Sequence, residues 1–503
     1  MRRIPLLYGS RMVVAGAADD AVVLAPPPPP ERPIADVGAA VRDALRFPLA
    51  GASLETIVPR DARATILVEA AGLPIPAANR TRDPRHAALV AAADELERLG
   101  VRSDHQTILV AAGLARRPSR RVVESLVTPE FALRFRGEVA VHDAEDDGLV
   151  EVGEHEGMPL KAHRAVAESD VVVVISAAVT VLHGGPAALL AASSADAIRS
   201  ASAESLLEAH LAPGWQLALA LERAVRRRTP LIGVSLALDL PRFAGTLRGY
   251  PYEAEAVERV ARSRLARGFR FVPGSLRARA LASLPLELTT SAVFAGPPSV
   301  AHAEALVRSV ETVSVALDEP LDAICIGVPR TTPFLPRERP NALIAATLAL
   351  GYTLRLWRSE FPVRPGGTVV LVNPLRRRFA FPTQQPYRTF FQATRNARNS
   401  MLLLEAERAA AADPRAIQAY RDGHTCHPRL PFADWDSCRP ALERIGAVFV
   451  AGCRDAVAAR QLGFVPTHGV AAALEMARGL AGGAHRIGFL LSPPYFPLRV
   501  GGT

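Results

Sequence analysis

Residues 170–190 read DVVVVISAAVTVLHGGPAALL. Four valines and an isoleucine in succession, with no polar alternation, describe a strand buried on both faces. Such strands belong to parallel sheets covered by helices. The glycine pair that follows marks the turn into the next helix. The same pattern recurs in both directions from this stretch. Short apolar, β-branched runs occur at 65–68, 107–111, 138–141 and 231–236, then at 322–326, 368–372, 447–450 and 487–491. Helix-period segments lie between them, for example at 36–47, 86–99 and 205–227. The expected fold class is α/β, as two α/β domains with mainly parallel sheets and a cleft between them.

At 503 residues the chain exceeds what one hydrophobic core supports. The expected division is an N-terminal segment with a polyproline linker over 1–34, a first α/β domain over 35–290 and a second over 291–503. The linker is Pro26 to Pro30, a stiff extended stretch. The second boundary falls in the irregular wording LELTTSAVFAGPPS.

Apolar residues make up 49% and charged residues 22%, which excludes a disordered, collagen-like or coiled-coil chain. The formal net charge is +9, but the arginines are dispersed and form no basic stripe with aromatics, so nucleic acid is not an expected partner. Lys161 is the only lysine, so any mechanism needing a lysine amine has one candidate. Four cysteines without a CxxC give neither a disulfide framework nor a zinc ribbon. The N-terminal apolar stretch is broken by Arg11 and by Asp19-Asp20, which makes a poor signal peptide. No run of 18 apolar residues suggests a membrane span, and the cytoplasm is the expected location.

Three segments carry chemistry-capable residues. After the 170–177 strand, Gly184 and Gly185 could let backbone N–H groups approach an anion, with His183 beside them as acid, base or ligand; a tight turn without ligand, with His183 a structural donor, is the plainer reading of the same residues. Residues 421–438 (RDGHTCHPRLPFADWDSC) place His424, Cys426 and His427 within four positions, followed by Asp434, Asp436 and Cys438. These side chains can bind metal, though the spacing matches no closed zinc site, and a self-satisfied polar loop is the alternative. Residues 376–388 (RRRFAFPTQQPYR) follow a strand end, where ligands bind in open α/β sheets. Arg376, Gln384, Gln385, Tyr387 and Arg388 could grip a phosphate or carboxylate, joined by Arg330 and Thr331 from the comparable place after the 322–326 strand. The alternative is a set of solvated arginines on a proline-shaped loop.

Over residues 35–500 the order and local wording resemble the LarA-type nickel-pincer lactate racemase family. The likeness is clearest in VAVHDAEDDGLVEVGEHEGMPLKAHRAVAESDVVVVISA (139–177) and in VFAGPPSVAHAEALVRSV (293–310). The resemblance implies a fold of two α/β domains. It also implies a pincer nucleotide, tethered to a lysine after a Gly-Gly pair and carrying nickel, with histidines as metal ligand and acid/base groups. Hydride then leaves the substrate's α-carbon and returns to the other face.

This sequence departs from the family at each of those motifs. Ala187 stands where the tethering lysine should follow Gly184-Gly185. The expected histidines fall near Ala177 and near Ser202-Ala203. A Gly-Thr-His-Arg wording has become Gly113, Leu114, Ala115, Arg116, and an Asp-x-Thr-Arg-Pro turn has become AAGLPIP, with Leu73 in the arginine's place. The expectation is therefore a LarA-like protein without tethered-cofactor racemase activity, holding a small anionic metabolite in the interdomain cleft. A second expectation is an active 2-hydroxy-acid racemase or epimerase, an isomerase that holds a nickel-pincer nucleotide non-covalently. It would use His183, His210, His424 and His427, with Gly184 and Gly185 at the cofactor. A third is a non-catalytic partner of another protein or of a second copy of itself.

Overall fold

The computed structural model describes residues 2–69, 83–119, 123, 126–263, 268–329, 340–481 and 486–501. Two six-stranded sheets dominate it. In the first, the strand order is Thr290–Gly296, Leu231–Leu238, Val171–Ala177, Ala64–Glu69, Gln106–Ala111 and Glu138–Val141. All pairs are parallel except the edge strand Thr290–Gly296. In the second, the order is Val465–Thr467, Ala447–Ala451, Val363–Val372, Leu321–Gly327, Ile487–Leu490 and Val22–Leu24, all parallel. The fold is α/β with mainly parallel sheets, as the β-branched runs imply.

Every residue of Val171–Ala177 is buried. Helices cover both faces of its sheet, so the alternating apolar pattern of a half-exposed strand has no use here. One face packs on Val37–Arg46 and Pro84–Arg98, the other on Pro186–Leu190 and Pro213–Arg226. Asp36 caps the first of these helices by accepting from the Ala39 N–H at 2.8 Å.

The sheet pairings cross both expected boundaries. Val22–Leu24 lies within the 1–34 segment yet forms an edge of the second sheet, while Thr290–Gly296 starts at the 290/291 division and belongs wholly to the first. Residues Arg2–Tyr8 and Arg11–Ala17 form an antiparallel hairpin packed on the second half. The 205–227 helical pattern is shorter than its periodicity suggests. The helix is Pro213–Arg226, because proline fits the first helical turn and no later one. Its upstream residues turn to the second half instead: the Ser205 hydroxyl donates to the Trp357 carbonyl at 2.6 Å, and the Leu206 N–H to that of Arg355 at 2.8 Å. Among the described residues no helix is long and apolar enough to cross a membrane.

Candidate functional site

A cavity of about 1230 Å³ lies where the two halves meet. Its walls combine the loops after the Gln106–Ala111 and Val171–Ala177 strands with helices Ser400–Ala411 and Leu430–Ser437 and the π-helical turn Thr347–Tyr352. An inner chamber of about 350 Å³ adjoins it and shares His183, Leu430 and Asp434 with it. π turns recur at functional sites. Here the turn brings Gly351 so close to the Leu430–Ser437 helix that a Cβ would stand 2.1 Å from the Ser437 hydroxyl.

Glu69 ends its strand with its side chain on the inner chamber. Burial pushes its carboxyl up to about 8, against the opposing effect of a hydrogen bond from the Gly184 N–H. Asp434 reaches the same chamber from the other half. Burial raises it to about 6, and the Tyr387 hydroxyl, which donates to it, restrains the rise. His183 bonds through Nδ1 to the Thr180 hydroxyl at 2.8 Å. Burial first, then Arg355 and His302, push it down to about 3, so it is neutral at physiological pH.

Arg355 is 3% exposed and lines the cavity. It donates to the carbonyls of Ala203, Glu204, Gly351 and Ser437, which belong to both halves. Among the described residues it has no carboxylate partner, and burial draws it down to about 10. Arg199 is held instead by two carboxylates across the cavity, with Glu407 at 2.6 Å and with Asp436.

The glycine pair serves packing. Gly184 and Gly185 have φ of +94° and +53°, and a Cβ on Gly185 would stand 2.3 Å from the His302 Cβ. Their N–H groups are engaged by Glu69 and, at 2.9 Å, by the Ser176 hydroxyl, so they form an internal turn.

The structure disperses most of the sequence candidates. His183 and His210 both line the cavity, but His210 is 73% exposed and its nearest charged partner is Glu208 at 3.8 Å. His424 is exposed. Cys426 is buried and lines the cavity. His427 is fully buried and spends Nε2 on Glu145 at 2.8 Å and Nδ1 on the Arg429 N–H at 3.1 Å. Among the described residues no three metal-capable side chains come together. Gln385 and Arg388 share a separate shallow pocket with Arg377, which is paired with Asp455 at 3.0 Å. Gln384 is buried and accepts from the Ala380 N–H at 3.1 Å, and Arg376 lines neither space. Arg330, Thr331 and the 70–76 turn lie outside the described residues. Glu69 and Arg355 were not singled out from the sequence. An acid closing an apolar strand is the signal that points to the first; nothing local marks the second.

Two mainly parallel sheets, with a cavity between the halves walled in part by loops at strand carboxyl ends, define an α/β protein. Residues 8–184 match the family described as the lactate racemase N-terminal domain. The lactate racemase apoprotein from Thermoanaerobacterium thermosaccharolyticum is similar in structure over 99% of this chain and 100% of its own, with a TM-score of 0.62 and 13% identity. A protein from Thermotoga maritima is similar over 92% of this chain and 97% of its own, with a TM-score of 0.50 and 11% identity. No curated protein matches the chain in sequence. Residues 8–184 are thus similar to a lactate racemase N-terminal domain, and the fold over both halves is like that of the lactate racemase apoprotein.

Proposed function

We propose that the chain holds a small anionic metabolite, a 2-hydroxy carboxylate by family chemistry, in the cavity between its sheets, and does so without a tethered nickel-pincer cofactor. The observation that carries this reading is Arg355. A guanidinium buried in the cavity wall and answered, among the described residues, by neutral carbonyls leaves net positive charge in a low-dielectric place, which favours an anion.

The family's cofactor does not fit the residues present. The tether position is Ala187, 3% exposed and packed in the first half's core. Lys161 sits in the Val150–His155/Met158–Ala162 hairpin and lines neither the cavity nor the inner chamber. No metal-ligand cluster replaces the missing histidines among the described residues.

The test is calorimetric titration with lactate and with lactamide, its uncharged isostere. Lactate should bind at least about tenfold more tightly, an advantage that added salt reduces. Equal binding of the two, or none of either, would overturn the reading.

One observation favours a second, catalytic reading. Glu69 and Asp434 line one chamber from opposite halves, both held partly protonated near neutral pH. Two such acids suit proton exchange on a bound hydroxy acid. Deuterium incorporation at C2 of lactate in D₂O would favour isomerase activity, and its absence favours binding alone.

A further inference from the structure

The N-terminal hairpin is docked across the carboxyl ends of the second sheet. At its turn the Gly9 N–H donates to the Val328 carbonyl at 3.0 Å, just past the strand Leu321–Gly327. The Tyr8 hydroxyl donates to the Gly452 carbonyl at 2.6 Å, just past Ala447–Ala451. Gly452 has a φ of +73°, and a Cβ there would stand 2.9 Å from the Tyr8 ring, so the hairpin sits close. The carboxyl ends of parallel strands are where α/β sheets hold ligands.

Three segments bring arginine to this end of the sheet. Arg11 is the cross-strand partner of Tyr8 in the hairpin. Arg454 follows Gly452 by two residues, and its N–H donates to the Pro374 carbonyl at 2.9 Å. Arg376 and Arg378 follow Pro374, beyond the strand Val363–Val372. Arg376 is half-buried, and the other three are exposed. Burial first, then the like charges of Arg454, Arg378 and Arg11, hold Arg376 below the usual guanidinium range, with Tyr8 opposing them. Arg377 is different: it pairs with Asp455 at 3.0 Å. Among the described residues no carboxylate forms an ion pair with Arg11, Arg376, Arg378 or Arg454. None of the four lines the large cavity or its inner chamber. Backbone hydrogen bonds hold the segments together, so the fold gathers like charges, and an anion among them would offset their repulsion.

We propose that these four arginines form a second anion site, for a small oligophosphate of the pyrophosphate class. Guanidinium forks bind phosphate oxygens bidentately, and several cations in one place match a multiply charged phosphate chain better than a single carboxylate. Arg376, singled out for anion binding from its loop, keeps that role with partners other than Gln384, Gln385 and Arg388.

The experiment is calorimetric titration of the full chain with metal-free pyrophosphate and with orthophosphate. Pyrophosphate should bind about tenfold more tightly, an advantage that added salt reduces. Arg376→Gln and Arg454→Gln should each weaken pyrophosphate binding about tenfold. Arg227→Gln removes the same charge from an exposed position at the end of helix Pro213–Arg226, in the first half, and should leave the affinity unchanged. Pyrophosphate should also raise the Tm of the wild type and of Arg227→Gln more than that of Arg376→Gln. An affinity that falls equally in Arg227→Gln would reduce the effect to net charge. That result, an affinity unmoved in Arg376→Gln and Arg454→Gln, or no binding of pyrophosphate by the wild type, would overturn the site.

Discussion

Glu69 shows how one side chain makes stability depend on pH. Its carboxyl is raised from an ordinary value of 4.5 to about 8 by burial. An acid raised in this way favours the folded state fully below about pH 4.5, and that contribution is lost as the pH rises through about 8. Glu69→Gln removes the titration. The variant should match the wild type at pH 4.5 and exceed it by on the order of 1–3 kcal/mol at pH 8.5, a range discounted for partial exposure. Urea unfolding at the two pH values checks this, and a constant difference would exclude it. At Asp434, losing the Tyr387 hydroxyl should move the carboxyl above about 6, because the phenol now restrains burial's effect. Carboxyl-detected NMR titration of Tyr387→Phe reads the shift directly, and an unmoved or lowered value would contradict it. These roles were only half legible in the sequence. Tyr387 and Asp434 were picked out in two different segments, one for gripping anions and one for metal. Their meeting depends on helix Gln385–Ala393 packing against Leu430–Ser437, contacts that no local pattern encodes.

At the scale of elements, helix Ala195–Ser200 ties the halves together. Arg199 binds Glu407 and Asp436, and Asp196 binds Arg429, all across the cavity. Arg199→Ala would leave two part-buried carboxylates facing each other, and should cost about 2–4 kcal/mol in chemical denaturation while speeding ligand release. A loss below about 0.5 kcal/mol would make these contacts incidental surface pairs. Most strands were legible because fully buried parallel strands leave unbroken β-branched runs. The exceptions have physical causes. The second strand of the N-terminal hairpin starts on Arg11 and buries only Ala15 and Ala17, so its apolar signal is diluted. Thr290–Gly296 is an antiparallel edge strand, half-buried along most of its length, and its polar start read as a linker. Val22–Leu24 is three residues long, and only its partner Ile487–Leu490 defines it as a strand.

At the scale of the molecule, the large cavity exists only while the two halves are docked, through Arg355, the Arg199 pairs and the Tyr420 hydroxyl, which donates to the Gly113 carbonyl at 3.1 Å. Protein made alongside the pincer-nucleotide biosynthesis enzymes should keep its unmodified intact mass and carry no stoichiometric nickel. An added mass on Lys161 would contradict the placement of that residue outside the cavity. The family resemblance supplied this question from sequence alone, through Ala187 and the displaced histidines, whereas the cavity's own charges emerged only from the packing of both halves.

The strand Val22–Leu24 has one more consequence. Its hydrogen-bonding neighbour, Ile487–Leu490, is synthesised about 460 residues later. On the ribosome the first sheet can close as soon as Thr290–Gly296 has emerged. Residues 2–24 must then wait, with their apolar hairpin face uncovered, until the strands of the second sheet have been made. Folding of this protein is thus a race between completion of the second sheet and capture of the waiting hairpin by other nascent chains.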